Sequence, residues 1–297
     1  MDCISCGNSS LVFYKENSNK KSIYCCESCN LFLVDISKNV ALNDIKDRYK
    51  KDFWLDTKYN IEEMIKSDFT NEEGKHFALN WSSMYSYCKK YLLNRKKILE
   101  IGTGTGVHLI MFDKLGFSVT GVEPDSKNVH LINQKLTHGK CINVFMEDFE
   151  RKEKFDVIYL YHSLEHMVRP DLLLKECHSL LQKDGIIIIA VPDCENPDTL
   201  KDSIQNVDHL WHFSKIALKK IATSLDYKIE RCDSLATIKE LNTQRLHRLL
   251  DKSCLRWLNK KMFPYWPFRI TNSKDGYEIR LIISKSNNHR YQEEQFD

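Results

Sequence analysis

Leu99-Glu100-Ile101-Gly102-Thr103-Gly104-Thr105-Gly106 is the stretch on which the fold turns. Lys97–Ile101 reads as a strand, the glycines as a tight turn, and Val107–Leu115 as a helix leaving it. The same alternation continues outward. Strands are predicted at Phe117–Val122, Cys141–Phe145, Phe155–Leu160 and Gly185–Val191, with helices at Lys127–Leu136 and Pro170–Leu181. A helix at Ser214–Leu225 and strands at Tyr227–Cys232 and Tyr277–Ser284 follow. Strands alternating with helices at this spacing imply βαβ units and a parallel sheet covered on both faces. The predicted class is therefore α/β, a doubly wound Rossmann-like sheet, with ligands received at the carboxyl ends of its strands.

The chain has 297 residues, 42% hydrophobic and 29% charged, with 10 Gly and 6 Pro. That composition is globular and excludes collagen-like, disordered and membrane-spanning classes. Its 44 basic and 41 acidic side chains leave +3, too little for a polyanion binder on charge alone. Ile186–Val191, the longest aliphatic run, is far short of the roughly 20 residues of a membrane span. Met1–Cys6 shows neither a basic n-region nor an apolar h-region, so a cytoplasmic protein is expected.

Five of the 11 cysteines fall in the first 29 residues. Cys3-x2-Cys6 and Cys26-x2-Cys29, 19 residues apart, have the spacing of a four-thiolate Zn²⁺ site, and strands Leu11–Tyr14 and Leu31–Val34 suit a ribbon. Cys25 competes with Cys26, which fits the spacing better. The ribbon is either a recognition module or a metal staple; four-thiolate sites are closed, which favours the staple. Cys88, Cys141, Cys177, Cys194, Cys232 and Cys254 are expected as reduced thiols filling the core.

Between Ala41 and Asn94 the pattern is helical, with Phe77, Trp81, Met84, Tyr85, Cys88 and Leu92 forming one apolar stripe. The expected organisation is a ribbon over 1–40, a helical lid or bridge over 41–94, and an α/β domain over 95–297. That domain carries a basic helical insertion near 238–268. Lys239–Lys261 holds seven basic and two acidic residues interleaved with leucines. It reads as an amphipathic helix with a solvated basic face, or as a surface for an anionic ligand. The aromatic stretch Phe263–Phe268 is expected to turn the chain after it, and a polar tail follows Ser286.

The glycine spacing is G-x-G-x-G, with Val107 where a dinucleotide fingerprint wants its third glycine. Glu123 ends the second strand, 21 residues beyond Gly102, where a carboxylate can accept both hydroxyls of a ribose.

Taken in order, these stretches resemble the class I S-adenosylmethionine-dependent methyltransferases, over roughly Lys97–Ser284. Leu99–Gly106 looks like that family's first motif and Gly121-Val122-Glu123-Pro124 like its second. Glu147-Asp148-Phe149 looks like the stretch after its third strand, where an acid meets the adenine amino group and the next residue flanks the ring. Phe155–His166 resembles the fourth-strand motif of the small-molecule, quinone and sugar branch, and Leu180–Pro192 the fifth. Asp208-His209-Leu210-Trp211-His212-Phe213-Ser214 echoes a further stretch of that branch, some of whose sugar-modifying members carry a zinc-binding domain ahead of the core.

The resemblance implies S-adenosylmethionine as cofactor, held by Glu100, Gly102, Thr103, Gly104, Gly106, Glu123, Asp148, Phe149 and His162. It implies Zn²⁺ on Cys3, Cys6, Cys26 and Cys29. In the similar sugar C-methyltransferases a histidine at the fourth motif and an acid–histidine pair further on contribute to the chemistry; here these are His166, Asp208 and His209. His212 is a further candidate base. Each histidine also has a packing role open to it. Those C-methyltransferases usually carry more C-terminal sequence than is present here, so O-methylation is favoured over C- or N-methylation.

The expected acceptor is a small molecule, sugar-like, nucleotide-linked or phosphorylated, with no membrane partner. Two rivals remain: an RNA or protein methyltransferase docking through ribbon and basic helix, although no RNA-binding motif accompanies them, and a catalytically silent zinc-bearing binding module.

Overall fold

A computed structural model of the chain describes residues 2–35, 60–150, 152–237 and 268–286, with positions 43, 46 and 47. The expected basic helix, the aromatic stretch before Phe268, the tail beyond Ser286, Cys254 and most of the lid before Asn60 lie outside these residues. By their contacts the residues form two compact units. One is Met1–Lys46 with Glu150–Asp233 and Ile279–Asp297, and the other is Asp47–Phe149 with Ser234–Glu278.

At the N-terminus, β1 (Leu11–Glu16), β2 (Ser22–Cys26) and β3 (Leu31–Val34) form an antiparallel ribbon. The sequence reading had its first and third strands. The middle one, Ser-Ile-Tyr-Cys-Cys, is short and partly polar and carries its own sheet signal only weakly.

The second unit begins with α1 (Ile61–Lys66) and α2 (Glu72–Cys88), each opened by an asparagine side chain that accepts a main-chain N–H. Of the predicted stripe, Met84 and Cys88 are buried in α2, and Leu92 is buried beyond it. Trp81 stacks on Tyr85 at 5.2 Å and meets Phe112 edge-on at 6.4 Å. The stripe therefore packs against α3 (Val107–Lys114), the helix that leaves the glycine turn. Around it, β4 (Lys97–Ile101), β5 (Ser118–Glu123) and β6 (Lys140–Asn143) pair in parallel in that order, with α4 (Ser126–Asn133) between the last two. The fully buried Asp113 carboxylate accepts bonds from Thr137 N (2.9 Å), Thr137 Oγ1 (2.7 Å) and His138 N (2.6 Å), fixing the loop into β6.

In the first unit β7 (Phe155–Tyr161), α5 (Pro170–Leu180) and β8 (Leu181–Pro192) make a parallel crossover. The side chains of Val157–Leu160 and Ile187–Val191 are wholly buried, as a strand covered on both faces requires. Each such Ile, Leu or Val contributes about 1.5–3 kcal/mol of transfer free energy. The strand β8 starts four residues earlier than predicted, with a register irregularity opposite Phe155 and Val157.

The next elements are α6 (Pro197–Gln205), β9 (Trp211–His212), α7 (Lys215–Ser224), β10 (Tyr227–Thr237), β11 (Phe268–Thr271) and β12 (Glu278–Lys285). Strand β10 pairs antiparallel with β11, and β12 lies beside β8. Parallel and antiparallel pairs thus both occur, where the reading expected a parallel core. Strand β9 joins the ribbon, pairing antiparallel with β3 (Phe32 opposite His212, Leu33 opposite Trp211). Val34 N donates to Leu210 O at 3.0 Å, Ser214 Oγ to Cys29 O at 2.5 Å and Ser5 Oγ to Ala217 O at 2.9 Å. Ile23 and Val34 of the ribbon share a core with Cys194, Leu200 and Ile204. None of the described helices is long and apolar enough to cross a membrane.

Candidate functional site

Three places gather chemistry: the glycine turn in the second unit, and the thiol cluster and a histidine cluster in the first.

At the glycine turn, Gly102 (φ 75°), Gly104 (φ 52°) and Gly106 (φ 74°) all hold the left-handed conformation that a side chain resists. At Gly106 a Cβ would also meet Ile132 Cγ1 at 2.4 Å. Gly106 is the N-cap of α3 and supplies no side-chain cap. The first amides of that helix are therefore left to other partners. Glu123, at the end of β5, is 2% exposed; Oε2 accepts from Gly104 N at 2.8 Å and Oε1 from Asp125 N at 3.1 Å. Asn128 Nδ2 donates to Gly104 O at 3.1 Å, tying α4 to the same turn. Each Glu123 oxygen keeps a second lone pair for a hydroxyl donor.

Burial pushes the Glu123 carboxyl up to about 7, with the two amides pulling against it. Glu100 beneath the turn is wholly buried, and burial followed by the Glu123 charge drives it well above the ordinary carboxyl range. Thr103, buried, lies with its Oγ1 3.6 Å from Cys141 Sγ. Asp148 is exposed at the end of a single helical turn after β6, and Phe149 beside it is 7% exposed.

In the ribbon, Cys3 Sγ lies 3.5 Å from Cys29 Sγ and Cys6 Sγ 3.5 Å from Cys26 Sγ, and all four sulfurs fall within 4.8 Å of one another. Four sulfurs about 2.3 Å from one tetrahedral ion stand about 3.8 Å apart, so the cluster fits Zn²⁺. None of the four is in a disulfide. Cys25 stands outside the cluster, and burial pushes its thiol up to about 11.

The histidine cluster forms where β7 ends. His162 is held at φ 49°, a costly conformation for a residue with a Cβ, and its N–H donates to Ala190 O at 2.9 Å. Its Nδ1 is 3.4 Å from Glu165 Oε1. Leu164–His166 forms one helical turn. His166 Nδ1 is 3.0 Å from the Asp208 carbonyl, so Asp208 reaches that imidazole through its main chain. The His166 and His209 rings meet edge to face at 4.7 Å. Ser203 Oγ on α6 lies 2.8 Å from both His209 Nδ1 and His212 Nδ1. Burial lowers the His209 and His212 imidazoles to about 3, so both rings are neutral at pH 7.

The carboxylate that faces these rings is Glu165, which the sequence reading passed over. Burial alone would raise it. His162, then His166 and His209, outweigh that and hold it at about 2. Its only signal was its place in Leu164-Glu165-His166, which reads equally as a helix start. Ser203 gave no signal, because its role comes from two rings six and nine residues on.

The family model for the methyltransferase domain (Methyltransf_23) matches residues 75–231, just over half of the chain. The chain belongs to that methyltransferase family. The matched stretch takes in both the glycine turn and the histidine cluster.

Curated relatives include the ubiquinone biosynthesis O-methyltransferase of Rhodopseudomonas palustris (strain TIE-1), 26% identical over 115 residues, which are 35% of this chain and 46% of that protein. The enzyme of the same name from Pelagibacter ubique (strain HTCC1062) is 33% identical over 102 residues, 33% of this chain and 42% of its own length. The chain thus spans less than half the length of these relatives. Among solved structures, the plantazolicin methyltransferase BpumL in complex with SAH aligns with a TM-score of 0.51 at 16% identity, over 83% of this chain and 99% of that one. A SAM-dependent methyltransferase from Archaeoglobus fulgidus aligns at 0.52 and 17%, over 69% and 92%. These alignments show the α/β Rossmann-like methyltransferase fold.

Proposed function

We propose that the chain transfers the methyl group of S-adenosylmethionine to an oxygen of a small-molecule acceptor, sugar-like or phosphorylated. The observation that carries this reading is the glycine turn with Glu123 bonded to its Gly104 amide, set in a methyltransferase domain. The names of the relatives, ubiquinone biosynthesis O-methyltransferases, support oxygen as the receiving atom.

S-adenosylmethionine supplies an already activated sulfonium methyl, so what remains for the protein is mostly orientation, which can lower a barrier by about 7–11 kcal/mol. Glu100, Gly102, Thr103, Gly104, Gly106, Glu123, Asp148, Phe149 and His162 are the residues assigned to holding it. His166 and His209, with Asp208, are assigned to the acceptor side. A histidine base there adds roughly 10²–10⁴ in rate for a hydroxyl acceptor. His166 Nδ1 faces a carbonyl, which can only accept, so that nitrogen carries its proton and Nε2 is left to take another.

Zn²⁺ on Cys3, Cys6, Cys26 and Cys29 would be structural, closed to chemistry, and would brace the strand that pairs with β9. The ribbon thiolates suit a reducing compartment such as the cytoplasm. The macromolecular alternative rests on Lys239–Lys261, outside the described residues.

The test is incubation with methyl-labelled cofactor and a panel of hydroxylated metabolites, sugar nucleotides and RNA. Label on the oxygen of a small molecule supports the reading. Label on RNA or protein alone replaces it with the macromolecular one.

A further inference from the structure

Glu165 is 1% exposed, and both of its carboxylate oxygens are buried without a hydrogen-bond donor. The nearest polar group in a described contact is His162 Nδ1, 3.4 Å from Oε1. A carboxylate brought out of water is costly unless donors or positive charge replace the water it loses. What surrounds this one is imidazole. His166 stands on its own turn and His162 just before it, while His209 precedes β9 and His212 ends it. The Cys194 thiol, just beyond β8, also feels the Glu165 charge, together with that of its neighbour Asp193. One oxygen of Glu165 and one nitrogen each of His166 and His209 lie within 4.8 Å of one another.

The rings are held from behind. His166 is fixed at Nδ1 by the Asp208 carbonyl and His209 at Nδ1 by Ser203. In addition, Leu210 N donates to the Glu165 carbonyl at 2.9 Å, so the acid's own main chain ties its turn to the segment bearing His209. Anchored rings around a buried acid with no donor form an arrangement that is complete only when a positive charge arrives.

We propose that Glu165 is the positioning residue of the acceptor side: its buried carboxylate fixes the facing rings of His166 and His209 and receives the positive charge that forms on His166 during methyl transfer. The inference rests on the reading above that these histidines face the acceptor. As the acceptor's oxygen bonds to the methyl carbon and the sulfur–methyl bond breaks, the acceptor's proton passes to His166 Nε2. The imidazolium then sits against Glu165 and releases its proton to water afterwards, leaving SAH and the methyl ether. Glu165 itself touches neither substrate nor reacting atom. His209 and His212 are kept neutral by burial, so they do not compete for the proton.

The test is a pH titration of the full chain, ¹⁵N-labelled at histidine, for wild type, Glu165→Gln and Glu165→Asp. Binding of S-adenosylmethionine is measured alongside by calorimetry. In Glu165→Gln the pH at which the His166 ring signals move is expected to fall by about 1–3 units, the effect of removing an opposite charge at this range. Glu165→Asp restores at least part of that shift, and cofactor affinity stays within about twofold in both. An unmoved His166 titration in Glu165→Gln overturns the proposal. So does a tightly held divalent metal, beyond the ribbon's ion, that wild type binds and Glu165→Gln loses, since the acid would then be a metal ligand. If Glu165→Gln does not fold, Glu165→Ala, which also removes the charge, takes its place, and an unmoved His166 titration there overturns the proposal. Full turnover in His166→Asn with its acceptor would instead refute the functional reading while leaving the titration result standing.

Discussion

Ser203→Ala is the substitution whose cost follows most directly from the geometry. The hydroxyl is 4% exposed and stands 2.8 Å from Nδ1 of both His209 and His212. A hydroxyl has one proton to give, so it donates to one ring and accepts from the other, and thereby sets both tautomers. Alanine removes both bonds from a region that water does not reach. Each buried ring nitrogen left without a partner costs about 1–3 kcal/mol. For a chain of this size that corresponds to a fall in Tm on the order of 5–10 °C. Turnover should fall as well, because His209 is then free to rotate away from His166. The assay is thermal unfolding of wild type and Ser203→Ala, with His212→Gln as a second variant that should lose only one of the two bonds. A Tm within a degree of wild type in Ser203→Ala would refute the reasoning, since the hydroxyl could not then be the shared anchor.

The remaining predictions concern protons, metal and packing. Cofactor binding that engages Glu123 as a carboxylate should strengthen as pH rises from about 5 towards 7 and then level off, because the free protein's Glu123 ionises at about 7; calorimetry at several pH values checks this, and affinity that weakens with rising pH goes against it. His209 and His212 ionise at about 3 in the fold against 6.5 when unfolded, so the unfolded chain binds more protons and stability falls as pH drops from 6.5 towards 3. In His212→Gln, denaturant titrations should show a shallower loss over that window. Protein prepared without chelator should hold one Zn²⁺ per chain, lost in Cys26→Ser and kept in Cys25→Ser. Hydrogen exchange at the Trp211 and His212 amides should quicken in Cys26→Ser, because β9 pairs with the ribbon. Gly106→Ala should destabilise by about 2–4 kcal/mol, combining a left-handed backbone with a Cβ 2.4 Å from Ile132.

What could be read from the sequence was what is local. Lys97–Ile101 and Leu31–Val34 match their predicted bounds, since each is an apolar run closed by glycine or polar residues. The glycine turn was readable because a left-handed backbone demands a residue type. The helix Pro197–Gln205 had its signal too, an Asn196 cap before proline at the first position, but Asp and Ser spaced along it hid the apolar face. Trp211–His212 could not be read as a strand, because its partner in the ribbon is about 180 residues away. For the same reason Glu165 and Ser203 stayed hidden. Neither has an unusual neighbourhood in sequence; each acquires its role from rings that the crossover and the ribbon bring to it.

The central claim is that the glycine turn holds S-adenosylmethionine, and calorimetric titration of that cofactor into wild type, Gly104→Val and Asp148→Ala tests it most directly. Gly104→Val places a branched side chain at φ 52°, where the main chain should meet the ligand, and Asp148→Ala removes the side chain assigned to the adenine. One mole bound per mole of wild type, with weaker binding in both variants and the Asp148→Ala fold intact by circular dichroism, is the predicted result. No binding to wild type, or equally tight binding in both variants, would contradict it.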